Sequence, residues 1–299
     1  MNRREFLKTA AVTGATLALP GLLMPDGSMA AAEKPDMIVA TGPSPARITR
    51  AAVDAFGGMR RFVSRGDVVV IKPNIGWDRT PEYAATTNPE VVGALVRLCF
   101  EAGAKKVKVF DHTVSSPRRA YKQSGIADAA GAAGADVSFV EDRKFKEMKI
   151  QGETLKSWPL YTEVFEADKI INVPIAKVHG TSILTLGMKN WMGVMGGSRG
   201  RIHQRIDPCL VDMARTVRPT LVVLDAVRIL VANGPTGGDL SDVRLLNTVV
   251  VGQDQVAVDA FGSTLFGLKE DALGCVRLGH QAGLGNMRLS RQKIRRIRA

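Results

Sequence analysis

Short apolar runs rich in Val and Ile recur along the chain and are typical of strands buried on both faces. They lie at 67–71, 106–110, 169–173, 220–224 and 248–252, with a shorter run near residue 37. Between them, apolar residues follow helical spacing. One such segment begins with Asn88 as N-cap and Pro89 at the first helical position, and it ends at Gly103. Asp254 precedes another, which ends near Gly267.

The alternation of strands and helices predicts an α/β fold with a mostly parallel central sheet and helices on both faces. Residues 143–166 differ, because short alternating runs around Gly152 and Pro159 predict a small antiparallel insertion. No internal repeat or low-complexity linker interrupts the pattern. We therefore expect residues 33–299 to form a single α/β domain.

The N-terminus carries the residues of an export signal. Arg3 and Arg4 stand before a moderately apolar run and resemble the twin-arginine signal of bacteria. The run is too short and too interrupted to be a good membrane span, and alanines at 30–32 offer a cleavage site. We interpret residues 1–32 as a twin-arginine signal peptide, with an ordinary secretory signal or an uncleaved anchor as the alternative. The twin-arginine translocation machinery would then deliver a folded protein to the periplasm or an equivalent exported location.

The full chain has a formal net charge of +12, which suits an acidic substrate, an anionic membrane surface or nucleic acid. We expect no nucleic-acid partner, because the N-terminus predicts export, aromatic residues are few, and no nucleic-acid motif is present. No later apolar run is long enough for a stable membrane span. Cys99, Cys209 and Cys275 lie far apart without a C-x-x-C pair, so we expect no iron–sulfur cluster and no structural zinc.

Polar side chains directly follow the predicted strands. In chain order they are Lys72 and Asn74, Asp111 and His112, Lys177 and His179, Asp225, and Gln253 and Asp254. If all the strands are parallel, these groups converge on the carboxyl edge of the sheet, where open α/β sheets bind ligands. We leave Asp254 out of the candidate site residues, because a role as helix cap explains it equally well. For Asp225, the alternative to a site role is that it orients a loop.

The stretch from 176 to 203 has six glycines and no Asp or Glu. Glycine-rich backbone can present N–H groups to an anion, and arginines bind carboxylates or phosphates with two hydrogen bonds. A flexible basic surface loop is the alternative. We predict substrate-binding roles for Asn74, Lys177, Asn190, Arg199 and Arg201. We predict catalytic roles for Lys72, His179 and Lys189, with Asp111 and Asp225 as further pocket residues.

Three histidines are candidates for a metal site. His112, His179 and His203 could bind a divalent metal and leave one coordination position open, as catalytic zinc sites do. Hydrogen-bonded structural histidines are the alternative. The sequence therefore does not identify a cofactor, and a divalent metal is one candidate.

Several ordered blocks carry a family resemblance. They include "VVVIKPNIG", "KIINVPIAKVHGTSILTLGMKNWMG", "LVVLDAVRILVANGPTGGD" and "VVVGQDQVAVDAFG". Together they resemble the family catalogued as domain of unknown function 362, across nearly all of the mature chain. The resemblance implies that the pocket residues are Lys72, Asn74, Asp111, His179, Lys189 and Asn190. Some relatives carry ferredoxin-like cysteine motifs, which this chain lacks. The family is also distantly similar to the nickel-dependent lactate racemase group, whose pocket places His and Lys around a small carboxylate.

Two functions fit these observations. The first is an exported, metal- or cofactor-dependent enzyme acting on a small anionic substrate, a carboxylate or a phosphate. Its lysines would hold the anion or polarise a carbonyl, and a lysine with a lowered pKa could act as nucleophile or base. His179, together with His112, would be the general base or a metal ligand. Hydride transfer by an oxidoreductase, racemisation and hydrolysis stay open. The second is a non-catalytic anion-binding protein, or an accessory protein of an exported redox complex with a redox partner protein.

Overall fold

The computed structural model describes residues 34–299, so the signal peptide predicted for residues 1–32 lies outside the described residues. The strands are β1 (Met37–Thr41), β2 (Val68–Pro73), β3 (Lys106–Val109), β4 (Asp136–Val137), β5 (Phe145–Lys149), β6 (Ser157–Tyr161), β7 (Lys169–Val173), β8 (Ile175–His179), β9 (Ile183–Thr185), β10 (Leu221–Leu230), β11 (Val243–Gly252) and β12 (Ile294–Arg298). The α-helices are α1 (Pro45–Ala55), α2 (Pro89–Ala102), α3 (Pro117–Gln123), α4 (Ile126–Ala132), α5 (Glu163–Glu166), α6 (Gly187–Asn190), α7 (Ile206–Thr216), α8 (Gln255–Thr264) and α9 (Gly274–Gln281).

One large sheet runs through the described residues in the order β12-β1-β11-β10-β7-β2-β3-β4, with β8 and β9 paired beside β10. Strands β10, β7, β2, β3 and β4 are parallel to their neighbours in that order, which confirms the predicted mostly parallel sheet. Strand β11 runs antiparallel to both β1 and β10. Strands β5 and β6 form a separate two-stranded antiparallel sheet, as predicted for residues 143–166.

The sheet separates two hydrophobic cores, because successive side chains of a strand point to opposite faces. In β2, Val70 belongs to one core, whereas Val69 and Ile71 belong to the other. Helices α1 to α4 contribute buried residues to the second core, and α5 to α9 contribute to the first. Helices therefore cover both faces, as the sequence predicts. Within the described range, no helix has the length and apolar character needed to cross a membrane.

The predicted caps set the start of two helices. Asn88 Oδ1 accepts a hydrogen bond from Glu90 N at 2.9 Å, and α2 ends at Gly103 with a left-handed φ of 105°. Asp254 Oδ1 accepts from Val256 N and Ala257 N at 2.8 and 2.9 Å at the start of α8. Both N-cap predictions are confirmed, and each satisfies backbone donors that have no partner inside the helix.

The direction of β11 corrects one expectation. Because β11 is antiparallel to β10, its carboxyl end lies at the opposite edge of the sheet from the ends of β2 and β3. The prediction that Gln253 and Asp254 could converge with the other strand-end residues is therefore wrong. Asp254 instead caps α8, and its Oδ2 accepts a hydrogen bond from Asn286 N at 2.6 Å.

We expect Asp254→Ala to lower the free energy of unfolding by about 1–2 kcal/mol, because it removes the cap of α8 and the bond to Asn286 together. Urea unfolding followed by circular dichroism measures the effect. Asp239→Ala is the matched control, since Asp239 caps only Ser241 N in an exposed short turn. Equal losses in the two variants would contradict the role of Asp254.

Candidate functional site

A cavity of about 310 Å³ opens where β2, β3 and β8 end. Its lining consists of Lys72, Asn74, Gly76, Trp77, Asp111, His112, Val114, Lys177, His179, Thr185, Lys189, Asn190, Met192, Gly193, Arg199, His203 and Pro235. The cavity thus brings together the residues predicted from the sequence, with two exceptions. Its volume lies at the lower end of the range typical of small-molecule sites.

The two exceptions are Asp225 and Arg201. Asp225 is fully buried, and its carboxylate accepts hydrogen bonds from Asn88 N at 2.7 Å and Val227 N at 3.0 Å. It therefore ties the start of α2 to β10, and burial raises its pKa to about 6. Arg201 is exposed on the surface and does not line the cavity. Neither residue is in position to contact a ligand there.

A buried ion pair forms the floor of the cavity. Lys72 Nζ lies 2.8 Å from Asp111 Oδ1, and the two side chains are only 1% and 3% exposed. Lys72 Nζ also donates to Pro73 O and Asn190 Oδ1 at 2.9 Å. Burial lowers the pKa of Lys72, and Asp111 opposes that effect. Asp111 Oδ2 accepts from Ile75 N at 2.6 Å, so the carboxylate is held on both sides.

Gly193 covers this ion pair. A Cβ at this position would overlap Asp111 Oδ1 and crowd the ammonium group of Lys72. The carbonyl of Gly193 also accepts a hydrogen bond from His112 N at 2.9 Å. The close approach of the backbone therefore requires glycine here, which explains one of the six glycines of the carboxylate-free stretch.

Amide side chains hold the ion pair in place. Asn190 Oδ1 accepts from Lys72 and from Asn74 Nδ2, while Asn190 Nδ2 donates to Lys72 O at 3.1 Å and to Asn172 Oδ1 at 2.8 Å. Asn172 in turn donates to Gly187 O at 2.9 Å. All the hydrogen-bonding groups of Asn190 are thus used within the protein, and its role is to position Lys72. Sequence reasoning missed Asn172, although a polar residue inside the apolar run of β7 was a signal.

A second missed residue, Asp259 of α8, orients the short helix α6. Its carboxylate accepts hydrogen bonds from Gly187 N at 2.6 Å and Met188 N at 2.9 Å. Asp259 is buried, which raises its pKa to about 7, although the two backbone donors oppose that shift. A Cβ at Gly187 would crowd this carboxylate. Asp259 therefore fixes the segment that carries Lys189 into the cavity.

Two cavity lysines lack an ion-pair partner among the described residues. Lys177 Nζ donates to Ala85 O at 2.5 Å and to Asn74 Oδ1 at 3.3 Å, and Lys189 Nζ lies 3.3 Å from Met192 Sδ. Burial, with a contribution from neighbouring cations, lowers the pKa of Lys177 to about 7 and that of Lys189 to about 8. Both ammonium groups therefore titrate close to neutral pH, and a bound anion would favour their charged forms.

Arg199 adds positive charge while it holds the cavity wall together. Its guanidinium donates to His112 O and Thr113 O at 2.6 Å and to Met192 O at 3.0 Å. Three of the five N–H donors of an arginine are thereby used by carbonyl groups. Burial lowers the pKa of Arg199, and Asp111 opposes that effect. Arg199 therefore contributes to the electrostatic potential and leaves two donors for a ligand.

Hydrogen bonds select the tautomer of His179. The backbone N–H of Thr181 donates to His179 Nδ1 at 3.1 Å, so a neutral ring carries its proton on Nε2. Burial and the nearby charge of Lys189 lower the pKa of His179 to about 3. At neutral pH His179 is therefore uncharged and presents an N–H donor.

His112 and His203 take the opposite tautomer. Nδ1 of His112 lies 2.7 Å from Met195 O, and Nδ1 of His203 lies 2.9 Å from Gly200 O. A carbonyl oxygen can only accept, so Nδ1 carries the proton in both neutral rings and Nε2 keeps its lone pair. Burial lowers the pKa of both rings. These two histidines, unlike His179, have a nitrogen that can accept a proton.

The three-histidine metal site predicted from the sequence is not formed. The rings of His179 and His203 stack with 5.5 Å between centroids and 15° between planes, and the tautomer of His179 leaves no lone pair on Nε2. Within residues 34–299, no group of three or more His, Cys, Asp or Glu side chains is arranged to hold a metal ion. The three cysteines are buried and unpaired.

Comparison with known proteins places the chain in a family. The family model described as domain of unknown function (DUF362) matches residues 69–264, and the chain belongs to this family. A model of the twin-arginine translocation pathway signal sequence matches residues 1–20. The protein is therefore exported through the twin-arginine pathway, as its N-terminus predicts.

The chain is 31% identical over 205 residues to the thylakoid-associated protein sll1697 of Synechocystis sp.. The matched region covers 66% of this chain and 63% of that protein. The chain thus spans less than two thirds of this relative. Among solved structures, it is similar to the lactate racemase apoprotein from Thermoanaerobacterium thermosaccharolyticum, with 9% identity, a TM-score of 0.43, and coverage of 77% of this chain and 56% of that one. A protein from Thermotoga maritima gives 10% identity, a TM-score of 0.37, and coverage of 81% and 60%.

We expect Gly193→Ala to lower the free energy of unfolding by about 1–3 kcal/mol, because the added Cβ overlaps the Lys72–Asp111 pair. Gly200→Ala is the matched control, since a Cβ at Gly200 has no atom within 4 Å. The control should stay within about 0.5 kcal/mol of the parent protein in urea unfolding. A loss of similar size in both variants would contradict the close approach at Gly193.

We expect Lys189→Met to raise the free energy of unfolding by about 1–3 kcal/mol below pH 7, because burial disfavours the charged lysine in the folded state. The folded-state pKa lies below the unfolded one, so this gain is full below about pH 8 and disappears as pH rises through about 10.4.

Lys72→Met should instead lower the free energy of unfolding by about 3–5 kcal/mol, because it leaves Asp111 unpaired. Thermal and urea unfolding from pH 6 to pH 10 measure both; a loss with Lys189→Met would refute the argument.

Proposed function

We propose that the protein is an exported enzyme that binds a small anionic substrate, a carboxylate or a phosphate, in this cavity. The observation that carries the proposal is the pair Lys177 and Lys189, buried beside Arg199 without an ion-pair partner in residues 34–299. Buried charges are costly unless they are paired. A substrate with a negative group supplies the missing partner, whereas Lys72 already has its own in Asp111.

The histidines have different roles in the proposed proton transfer, because their tautomers differ. His179 Nε2–H can donate a hydrogen bond to the bound anion or to a carbonyl beside it. His112 and His203 each keep a lone pair on Nε2 and can accept a proton. Each of the three open reactions requires a base: hydride transfer from the carbon of an alcohol needs one for the hydroxyl proton, racemisation for the α-proton, and hydrolysis for the attacking water. We therefore assign the base to His112, which is the more buried of the two, and the donor role to His179.

Metal or cofactor dependence, and with it redox chemistry, stays a prediction from the sequence. The three histidines do not fit a metal site, so no step of the proposal uses one. Elemental analysis and an absorption spectrum test this point on protein exported through its own signal and purified without chelator. A stoichiometric metal or chromophore would support cofactor dependence.

The second candidate function is a non-catalytic anion-binding protein, or an accessory protein of an exported redox complex. The same two lysines support it, because binding needs positive charge but no proton acceptor. The two functions differ in what the histidines do. Removing the base of an enzyme abolishes turnover and leaves binding, whereas a binding protein has no turnover to lose.

We expect at least one acid among lactate, pyruvate, phenylacetate and inorganic phosphate to bind at pH 6.5, and its affinity to fall about tenfold or more by pH 9. The sign follows from the lysines: above their pKa values of about 7 and 8, binding must also take up a proton. Lys189→Met should weaken binding about tenfold or more, and Lys105→Met, at an exposed site outside the cavity, should not. Isothermal calorimetry measures each value. Affinity independent of both pH and Lys189 would refute the proposal.

Turnover separates the two functions. With lactate as the probe, we expect the parent protein to exchange the α-proton of lactate in D₂O, followed by NMR, or to reduce an added dye with lactate as donor. His112→Ala should reduce the rate by about 100-fold or more while Kd changes by less than about threefold. Binding with neither exchange nor dye reduction in the parent protein would favour the non-catalytic function.

A further inference from the structure

The cavity has two zones that differ in burial and in chemistry. Its floor is polar and closed, with Lys72, Lys177 and Lys189 exposed by 1%, 2% and 8%. Its mouth is open and carries apolar side chains, of which Val114 is 63% exposed and Trp77 is partly buried. A ligand that enters the cavity therefore passes the apolar mouth before its leading end reaches the lysines.

Backbone hydrogen bonds place Trp77 and Val114 on neighbouring loops at the mouth. The N–H groups of Val114 and Ser115 both donate to Gly76 O, at 2.9 and 3.0 Å. These bonds join the loop after β2 to the loop after β3. The two apolar side chains thus belong to a built wall of the cavity, and Val114 is not an isolated exposed residue of the kind common on protein surfaces.

Met192 and Pro235 complete the apolar wall. Met192 Sδ lies 3.3 Å from Lys189 Nζ, so this side chain spans the boundary between the mouth and the charged floor. Pro235 follows Gly234, whose backbone packs so closely on Val178 that a Cβ there would overlap Val178 O. That contact holds the loop with Pro235 against β8, the strand that supplies Lys177.

The volume sets the size of the ligand. An engineered cavity of about 150 Å³ holds one benzene molecule, and the cavity here measures about 310 Å³. It therefore has room for an acidic group on the floor and about one ring, or an aliphatic group of similar size, at the mouth. A ligand as small as acetate or phosphate would leave the apolar wall in contact with water and lose the free energy of burying it.

We propose that the substrate is an organic acid with an apolar body, bound with its charged group on the lysine floor and its body against Trp77, Val114, Met192 and Pro235. This inference rests on the proposed function, since it takes the floor to be the anion site. It adds the substrate class and assigns specificity to the mouth. The mouth residues distinguish acids by their apolar bodies, whereas Lys177 and Lys189 on the floor bind the acidic group that all of these acids share.

Matched ligands test the proposal on the folded, exported protein at pH 6.5. Phenylacetate and acetate share the acidic group, and benzyl alcohol has the ring without the charge. Calorimetry gives Kd for phenylacetate and benzyl alcohol, and displacement of phenylacetate gives Kd for acetate. We expect phenylacetate to bind about tenfold or more tighter than either of the other two, because only phenylacetate occupies both zones.

Variants at the mouth should change selectivity and leave the floor intact. Val114→Ser and Trp77→Ala are expected to reduce the preference for phenylacetate over acetate to about threefold or less, with Kd for acetate nearly unchanged. Leu278→Ser is the matched control, because Leu278 is an exposed apolar residue that does not line this cavity. Val114 is exposed, so its substitution leaves folding unaffected even if Trp77→Ala destabilises the protein.

The outcomes separate this inference from the proposed function. Equal affinity for phenylacetate and acetate would overturn the inference and leave the anion site intact. Equal affinity for phenylacetate and benzyl alcohol, unchanged in Lys189→Met, would overturn both, because the cavity would then be apolar without anion binding. No preference change in Val114→Ser and Trp77→Ala would also overturn the inference, since the body would then lie elsewhere.

Discussion

The buried ion pair between Lys72 and Asp111 is the constraint on which the site depends. The ion pair joins the ends of the two neighbouring parallel strands β2 and β3. The backbone passes directly over the pair at Gly193, where only glycine leaves enough space. Asn190 then completes the hydrogen bonds of Lys72. Because a buried charge without a partner is strongly destabilising, this arrangement tolerates little movement. The segment that carries Lys189 is therefore held in one position relative to the sheet.

The distribution of carboxylates explains how the cavity remains cationic. The stretch from 176 to 203 has no acidic residue, yet helix α6 within it needs acceptors for its first N–H groups. Asp259 supplies them from α8, where its carboxylate is buried against backbone. Asp111 is committed to Lys72 and to Ile75 N. The carboxylates thus serve the structure from outside the stretch, and Lys177 and Lys189 are left without a carboxylate partner, at a cost in stability.

Much of the fold and the site could be predicted from the sequence because the signals are local. Caps such as Asn88 act within a few residues, and parallel strands bring their polar ends to one edge. The direction of β11 could not be predicted, since a continuous apolar run has the same appearance in a parallel or an antiparallel strand. Asp259 and Asn172 were missed because their partners lie on other elements. The tautomers of the histidines depend on carbonyl and N–H groups that only the folded loops bring near.

Hydrogen bonds within the protein also limit which cavity side chains can act on a substrate, because several of the lining residues have no free hydrogen-bonding group. Lys72 and Asn190 are saturated by protein groups, and Arg199 spends most of its donors on carbonyls. Among the cavity side chains, the protein leaves unused the charges of Lys177 and Lys189, two donors of Arg199 and one nitrogen on each of the three cavity histidines. Groups that are already satisfied gain little from a ligand, because any new bond replaces an existing one. The polar part of the binding free energy and any proton transfer must therefore come from this smaller set, and its unpaired lysines require a substrate that brings a negative charge itself.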